Sequence, residues 1–145
     1  VFKHLLVPTD GSKLSEAAVR KAVQFAKTID AKITGFYVMP EFHVFTYRTE
    51  SLKDTEEEFA RDSRAHADQF LAVIEKAAKA AGVPCNTASA TSDHPYDAIV
   101  KAAKKNKCDL IMMASHGRKG VQGLLLGSET QKVLTHSKIP VLVYR

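Results

Sequence analysis

Four glycines within eleven residues, Gly117, Gly120, Gly123 and Gly127, precede Ser128, Glu129 and Thr130. Glycine accepts sharp turns and lets backbone N–H groups approach an anion closely. Gly127-Ser128 opens a segment of helical periodicity, and the unpaired N–H groups and positive dipole end of a helix start suit a phosphate. That dipole contributes only about 0.3–2 kcal/mol per anion, so tight binding also needs direct N–H and hydroxyl contacts. Phosphate cradling is the chemistry this segment points to. The same residues have an ordinary structural use. Ser128 and Gln131 carry capping-box spacing, and Gly120 and Gly123 serve as loop formers.

A second candidate is Asp10, in Pro8-Thr9-Asp10-Gly11 after the first apolar run. An aspartate there either serves a ligand or caps its own turn. Its place at a strand's carboxyl end, where open parallel sheets bind ligands, favours the ligand. The six histidines, His4, His43, His66, His94, His116 and His136, are scattered without zinc-type spacing, so no metal site is expected. Only His94 and His116 fall at expected strand ends, and His116 is assigned a turn role ahead of a catalytic one. No Gly-Lys-Ser/Thr phosphate loop occurs, and no catalytic residue is assigned.

The elements that must position these groups follow from periodicity. Five short apolar runs alternate with helical patterns, the sequence form of a parallel sheet covered on both faces. The runs are Leu5–Val7, Ile33–Val38, Cys85–Ala90, Leu110–Met113 and Val141–Tyr144. Between them, Leu14, Ala18, Ala22, Phe25 and Ile29 recur at helical intervals after a candidate N-cap, Ser12. A long helix is expected from a capping box at Thr55 and Glu58 to Gly82, followed by helices over Pro95–Lys105 and Ser128–His136. The uninterrupted run Leu110–Met113 should be central and buried on both faces. Glu41 to Glu50 reads as a loop whose aromatics, Phe42, Phe45 and Tyr47, form a lid or an interface or fold back on the core.

At 145 residues the chain is one domain, residues 1–145, without linker or internal repeat. No apolar run approaches the eighteen or so residues that span a bilayer. Two cysteines without metal-ligand spacing fit buried thiols in a reduced, cytoplasmic setting. The net charge of +5 is spread over helix faces, with Lys101, Lys104, Lys105 and Lys107 crowding one helix end. Without an arginine-rich arm or interleaved aromatics, nucleic acid is excluded as the partner.

The whole chain resembles the universal stress proteins. The resemblance rests on Leu6-Val7-Pro8-Thr9-Asp10-Gly11-Ser12, Asp109-Leu110-Ile111-Met112-Met113, Ser115-His116-Gly117-Arg118 and Pro140-Val141-Leu142-Val143. ATP-binding members carry Gly, two residues, Gly, nine residues, then Gly-Ser or Gly-Thr. Gly117, nine residues and Gly127-Ser128 match that order, while Ala114 stands at the first glycine. A left-handed backbone there would make the methyl cost roughly 1–2 kcal/mol. A second departure is Ser92-Asp93-His94-Pro95, where many relatives place a glycine before the proline.

The resemblance implies ATP, with or without Mg2+, as cofactor. Asp10 would meet the ribose or adenine side, and Pro8, Thr9 and the Val38 backbone would line the base pocket. Gly117 and Gly127 through Ser128, Glu129 and Thr130 would hold the phosphates, with Ser128 and Thr130 supplying hydroxyls. Met113 and Ala114 complete the binding set, and Arg118, which the family motif does not fix, would add charge from the same loop. The expected architecture is an α/β three-layer sandwich with a five-stranded parallel sheet, order 3-2-1-4-5, and helices on both faces. Its last strand, at the 140–145 edge, would pair with a second copy as a homodimer. The leading reading is a regulatory ATP-binding stress-response module acting on an unidentified protein partner. The alternatives are a slow ATP hydrolase using the same pocket and a nucleotide-free dimeric stress protein. A flavodoxin-like or phospho-receiver domain fits less well, because the phosphate signal follows the fourth strand and Asp10 lacks an acidic neighbour.

Overall fold

The computed structural model of the chain describes residues 1–43, 52–117 and 126–145. Along them run β1 (His4–Pro8), α1 (Lys13–Ile29), β2 (Lys32–Met39), α2 (Leu52–Ala81) and β3 (Cys85–Thr91). Then follow α3 (Pro95–Lys105), β4 (Leu110–Ala114), α4 (Ser128–His136) and β5 (Val141–Tyr144). The strands form one parallel sheet in the order β3-β2-β1-β4-β5, as expected.

The period-2 alternation of each strand divides its side chains between two helical layers. Leu5 and Val7 of β1, Ile33 of β2, and Leu110 and Met112 of β4 pack with Val19, Ala22 and Ala26 of α1 and Leu71, Ile74 and Ala78 of α2. Leu6, Phe36, Ile111 and Met113 point the other way, onto Ile99, Ala102 and Ala103 of α3 and Val133 of α4. Every residue of β1 and β4 is buried, whereas β3 and β5, at the sheet edges, are mostly half-buried. Lys101, Lys104, Lys105 and Lys107 are exposed.

Local signals set most element ends. The Ser12 hydroxyl accepts from Ser15 N and caps α1. Past α2, Gly82 takes a left-handed φ of 72° and its N–H returns to Lys79 O at 3.1 Å. Two expected caps are corrected. Helix α2 begins at Leu52, so Thr55 lies inside its first turn and cannot be the cap. The N-cap of α4 is Gly127, not Ser128, and Gln131 Nε2 donates to Leu126 O. Of the aromatic loop, Phe42 packs its ring on Phe59 of α2 at 5.4 Å; Phe45 and Tyr47 lie outside the described residues.

The amino ends of the strands carry a polar line whose centre, His4 and Thr34, is buried, while Asp109 is half-buried and Asn86 exposed. The Thr34 hydroxyl donates to Asn86 Oδ1 at 2.7 Å and lies 2.6 Å from His4 Nε2, which assigns the Nε2–H tautomer to His4. Burial, reinforced by Lys32, holds that imidazole below its ordinary value against the opposing pull of Asp109. Burial raises the Asp109 carboxyl, but donation from Lys3 N and His4 N (2.8 and 3.0 Å) outweighs it and leaves the group below the usual range. Both cysteines are free thiols, and burial pushes Cys108 up to about 11 and raises Cys85. Neither has the depressed pKa of a reactive thiol.

Candidate functional site: the crevice between β1 and β4

From β1 the chain winds through β2 to β3 on one side, and from β4 to β5 on the other. The switch point therefore lies between β1 and β4, where parallel sheets open a crevice at their carboxyl ends. The β1–α1 turn forms one wall. Thr9, only 9% exposed, donates its N–H to Phe36 O at 2.9 Å, while its hydroxyl accepts from Gly11 N and from Ser15 Oγ. Asp10 donates its N–H to Ser15 Oγ and accepts at Oδ1 from Ser12 N, 2.9 Å away. Gly11 is held at φ 80°, with the Phe70 ring of α2 where a side chain would go. Pro8 is buried beneath this turn.

The opposite wall is the β4–α4 connection. Ser115 N donates to Tyr144 O at 2.7 Å, and Ser115 O accepts from Gly127 N at 2.6 Å. The hydroxyl of Thr130, 2% exposed, donates to Ala114 O at 2.9 Å. These bonds seat the start of α4 on the end of β4. Helical geometry leaves the N–H groups of Ser128, Glu129 and Thr130 without an intrahelical acceptor; Gln131 N is the first to bond back, to Gly127 O. Ser128 is exposed at that terminus. The Glu129 carboxylate turns away, accepting from Tyr96 N at 2.9 Å near the start of α3.

The two walls meet at Asp10 and Gly117. A Cβ on Gly117 would fall on the Asp10 carboxylate, so glycine permits this approach of backbone to side chain. Ala114 is a strand residue, and the non-glycine residues with positive φ among those described are Asp30 and Lys107. Its methyl therefore causes no backbone strain. Met113, 7% exposed, belongs to the core beside α3 and α4. Arg118 lies outside the described residues.

Val38 reaches the crevice through strand geometry. Thr9 N bonds Phe36 O, so the backbone of Phe36 faces β1, and that of Val38, two residues on, faces the same side. The last β1–β2 pair is Pro8 with Phe36. The Val38 N–H and C=O thus emerge over the end of β1. Two cavities of about 320 Å³ lie elsewhere. One separates β3 from α3, between Ala88, Ala90, Lys101 and Lys105, and the other lies under Phe42 against α2.

This arrangement defines an α/β protein whose switch-point crevice is flanked by the β1–α1 turn and the start of α4. The chain belongs to the universal stress protein family, whose family model matches residues 2–145. Universal stress protein MJ0531 of Methanocaldococcus jannaschii is 31% identical over all of this chain and 83% of its own length. The solved structure of UspA from Lactobacillus plantarum superposes with a TM-score of 0.83 at 27% identity, covering 99% of this chain and 98% of its own. A universal stress protein solved in complex with cAMP is 28% identical, with a TM-score of 0.69 over 99% of this chain and 97% of its own.

Proposed function

We propose that this chain is an adenine-nucleotide-binding stress-response module that holds ATP, with Mg2+ on the phosphates, between β1 and β4. The observation that carries the reading is the seating of α4: Gly127 N on Ser115 O and Thr130 on Ala114 O present three N–H groups beside the Asp10–Gly117 contact. The donor set fits a polyphosphate, because helix N-termini favour anions and the exposed Ser128 hydroxyl adds a direct contact. Thr130 and Glu129 then contribute backbone N–H groups, since their side chains are engaged with Ala114 and Tyr96. The Val38 N–H and C=O offer a donor and an acceptor to the adenine edge, and the Asp10 carboxylate offers acceptors to ribose hydroxyls. Pro8 and Thr9 form the floor and Met113 supports it from the core. The cAMP complex of a relative 28% identical to this chain supports an adenine nucleotide, while the spacing from Gly117 to Gly127-Ser128 favours ATP.

Binding is favoured over turnover. Hydrolysis requires a group that orients water and strong charge neutralisation at the phosphates. Asp10 is engaged with its own turn and with Gly117, and His116 Nδ1 sits 3.3 Å from Ser115 Oγ. The module would act as a cytoplasmic homodimer paired through β5, signalling its nucleotide state to a protein partner. Titration with ATP, AMP, cAMP and FMN in Mg2+ buffer tests the reading. It predicts saturable ATP binding and no FMN binding; absence of any adenine-nucleotide binding would defeat it.

A further inference from the structure

Outside the crevice, one cluster brings metal-ligating atoms together from separate loops. Glu41 and His43 follow β2, and Asp93 follows β3. One ligand atom from each lies within 4.8 Å of the others. His43 Nε2 is 2.5 Å from Asp93 Oδ2, and Glu41 N donates to Asp93 Oδ1 at 3.2 Å. Phe42, between the two β2-loop ligands, anchors that loop on Phe59 of α2. No linear spacing announces the group, because fifty residues separate His43 from Asp93.

We propose that Glu41, His43 and Asp93 form a surface site for a divalent transition-metal cation of the zinc type. One imidazole nitrogen and two carboxylate oxygens are a donor set that zinc accepts at about 2.0–2.2 Å. Tetrahedral ligands at that distance stand about 3.4 Å apart, inside the span the three atoms already occupy. Three protein ligands leave a fourth position to water, the pattern of an open site rather than a closed structural one. The imidazole selects zinc, nickel or cobalt over magnesium and calcium, which prefer oxygen donors throughout. The cation would replace the His43–Asp93 hydrogen bond and link the segment after β2 to the β3–α3 turn. This is independent of the nucleotide crevice, and the probe is the metal alone.

The test is calorimetric titration of the untagged, nucleotide-free chain with Zn2+ and, separately, Mg2+. Expected is one equivalent of Zn2+ bound at micromolar strength, with Mg2+ far weaker. His43→Ala and Asp93→Asn should each weaken Zn2+ at least about tenfold with unchanged circular dichroism and melting temperature. His66→Ala, at an exposed histidine of α2 outside the cluster, should leave binding intact. Absence of Zn2+ binding below 100 µM, or binding that survives His43→Ala or falls equally in His66→Ala, would overturn the proposal.

Discussion

The two ends of the central sheet use the same kinds of residue for opposite purposes. At the amino ends, His4, Thr34, Asn86 and Asp109 satisfy one another and the adjacent backbone. At the carboxyl ends, Gly127 and Thr130 are bonded only so far as to fix the start of α4, whose first N–H groups have no intrahelical acceptor. A buried polar group that is fully paired supports the fold, and losing one partner is costly. A rigidly held set of donors facing a crevice suits a ligand. Changes at the amino ends should therefore alter stability without affinity, and changes at the carboxyl ends the reverse.

The largest effect is expected from Thr34→Val, which removes the hydroxyl joining His4 to Asn86. Leaving a buried donor unpaired costs about 1–3 kcal/mol. Urea unfolding should show that loss, while ATP affinity stays unchanged. Next comes Asp10→Ala against His116→Ala. Deleting a charged acceptor in the crevice should weaken ATP about tenfold or more, whereas His116→Ala should remain within about threefold, both variants staying folded. Equal losses in titrations of the two would erase the proposed division of labour.

The pH dependence separates the ends further. His4 has a folded pKa below its ordinary 6.5, so the folded state binds fewer protons than the unfolded chain. Its contribution is complete above about pH 6.5 and is lost as pH falls through the folded value. Asp109, also lowered, adds a second loss only in the acid carboxylate range. The urea midpoint should fall on going from pH 7.5 to 5.5, and less steeply in His4→Gln. The smallest effect is expected from Ala114→Gly. Ala114 sits at ordinary strand φ, so ATP affinity should change by less than about threefold. A large gain on titration would mean that the methyl blocks the crevice.

Much of this was legible in the sequence, and the exceptions have physical causes. The bounds of α3, α4 and β5 coincide with the periodic segments, because Pro95, Gly127 and Pro140 punctuate them. The start of α2 does not, since a favourable Thr55–Glu58 pair inside a helix reads like a cap at its beginning. Asp10, Gly117 and Gly127 could be found because turn chemistry and spacing are local properties. The side-chain directions of Thr130 and Glu129 could not. They depend on Ala114 and on Tyr96, 16 and 33 residues away. The polar line escaped for the same reason, as Thr34 meets partners 30 and 52 residues distant.

The measurement that bears most directly on the crevice is an ATP titration followed by amide nitrogen–proton correlation spectra of the isotope-labelled chain. Saturable shifts are expected at the N–H groups of Val38, Gly117, Ser128, Glu129 and Thr130, with those of His4, Thr34 and Asn86 unmoved. Shifts centred instead on the cavity between β3 and α3, or none in the crevice at saturating ATP, would contradict the crevice as the nucleotide site.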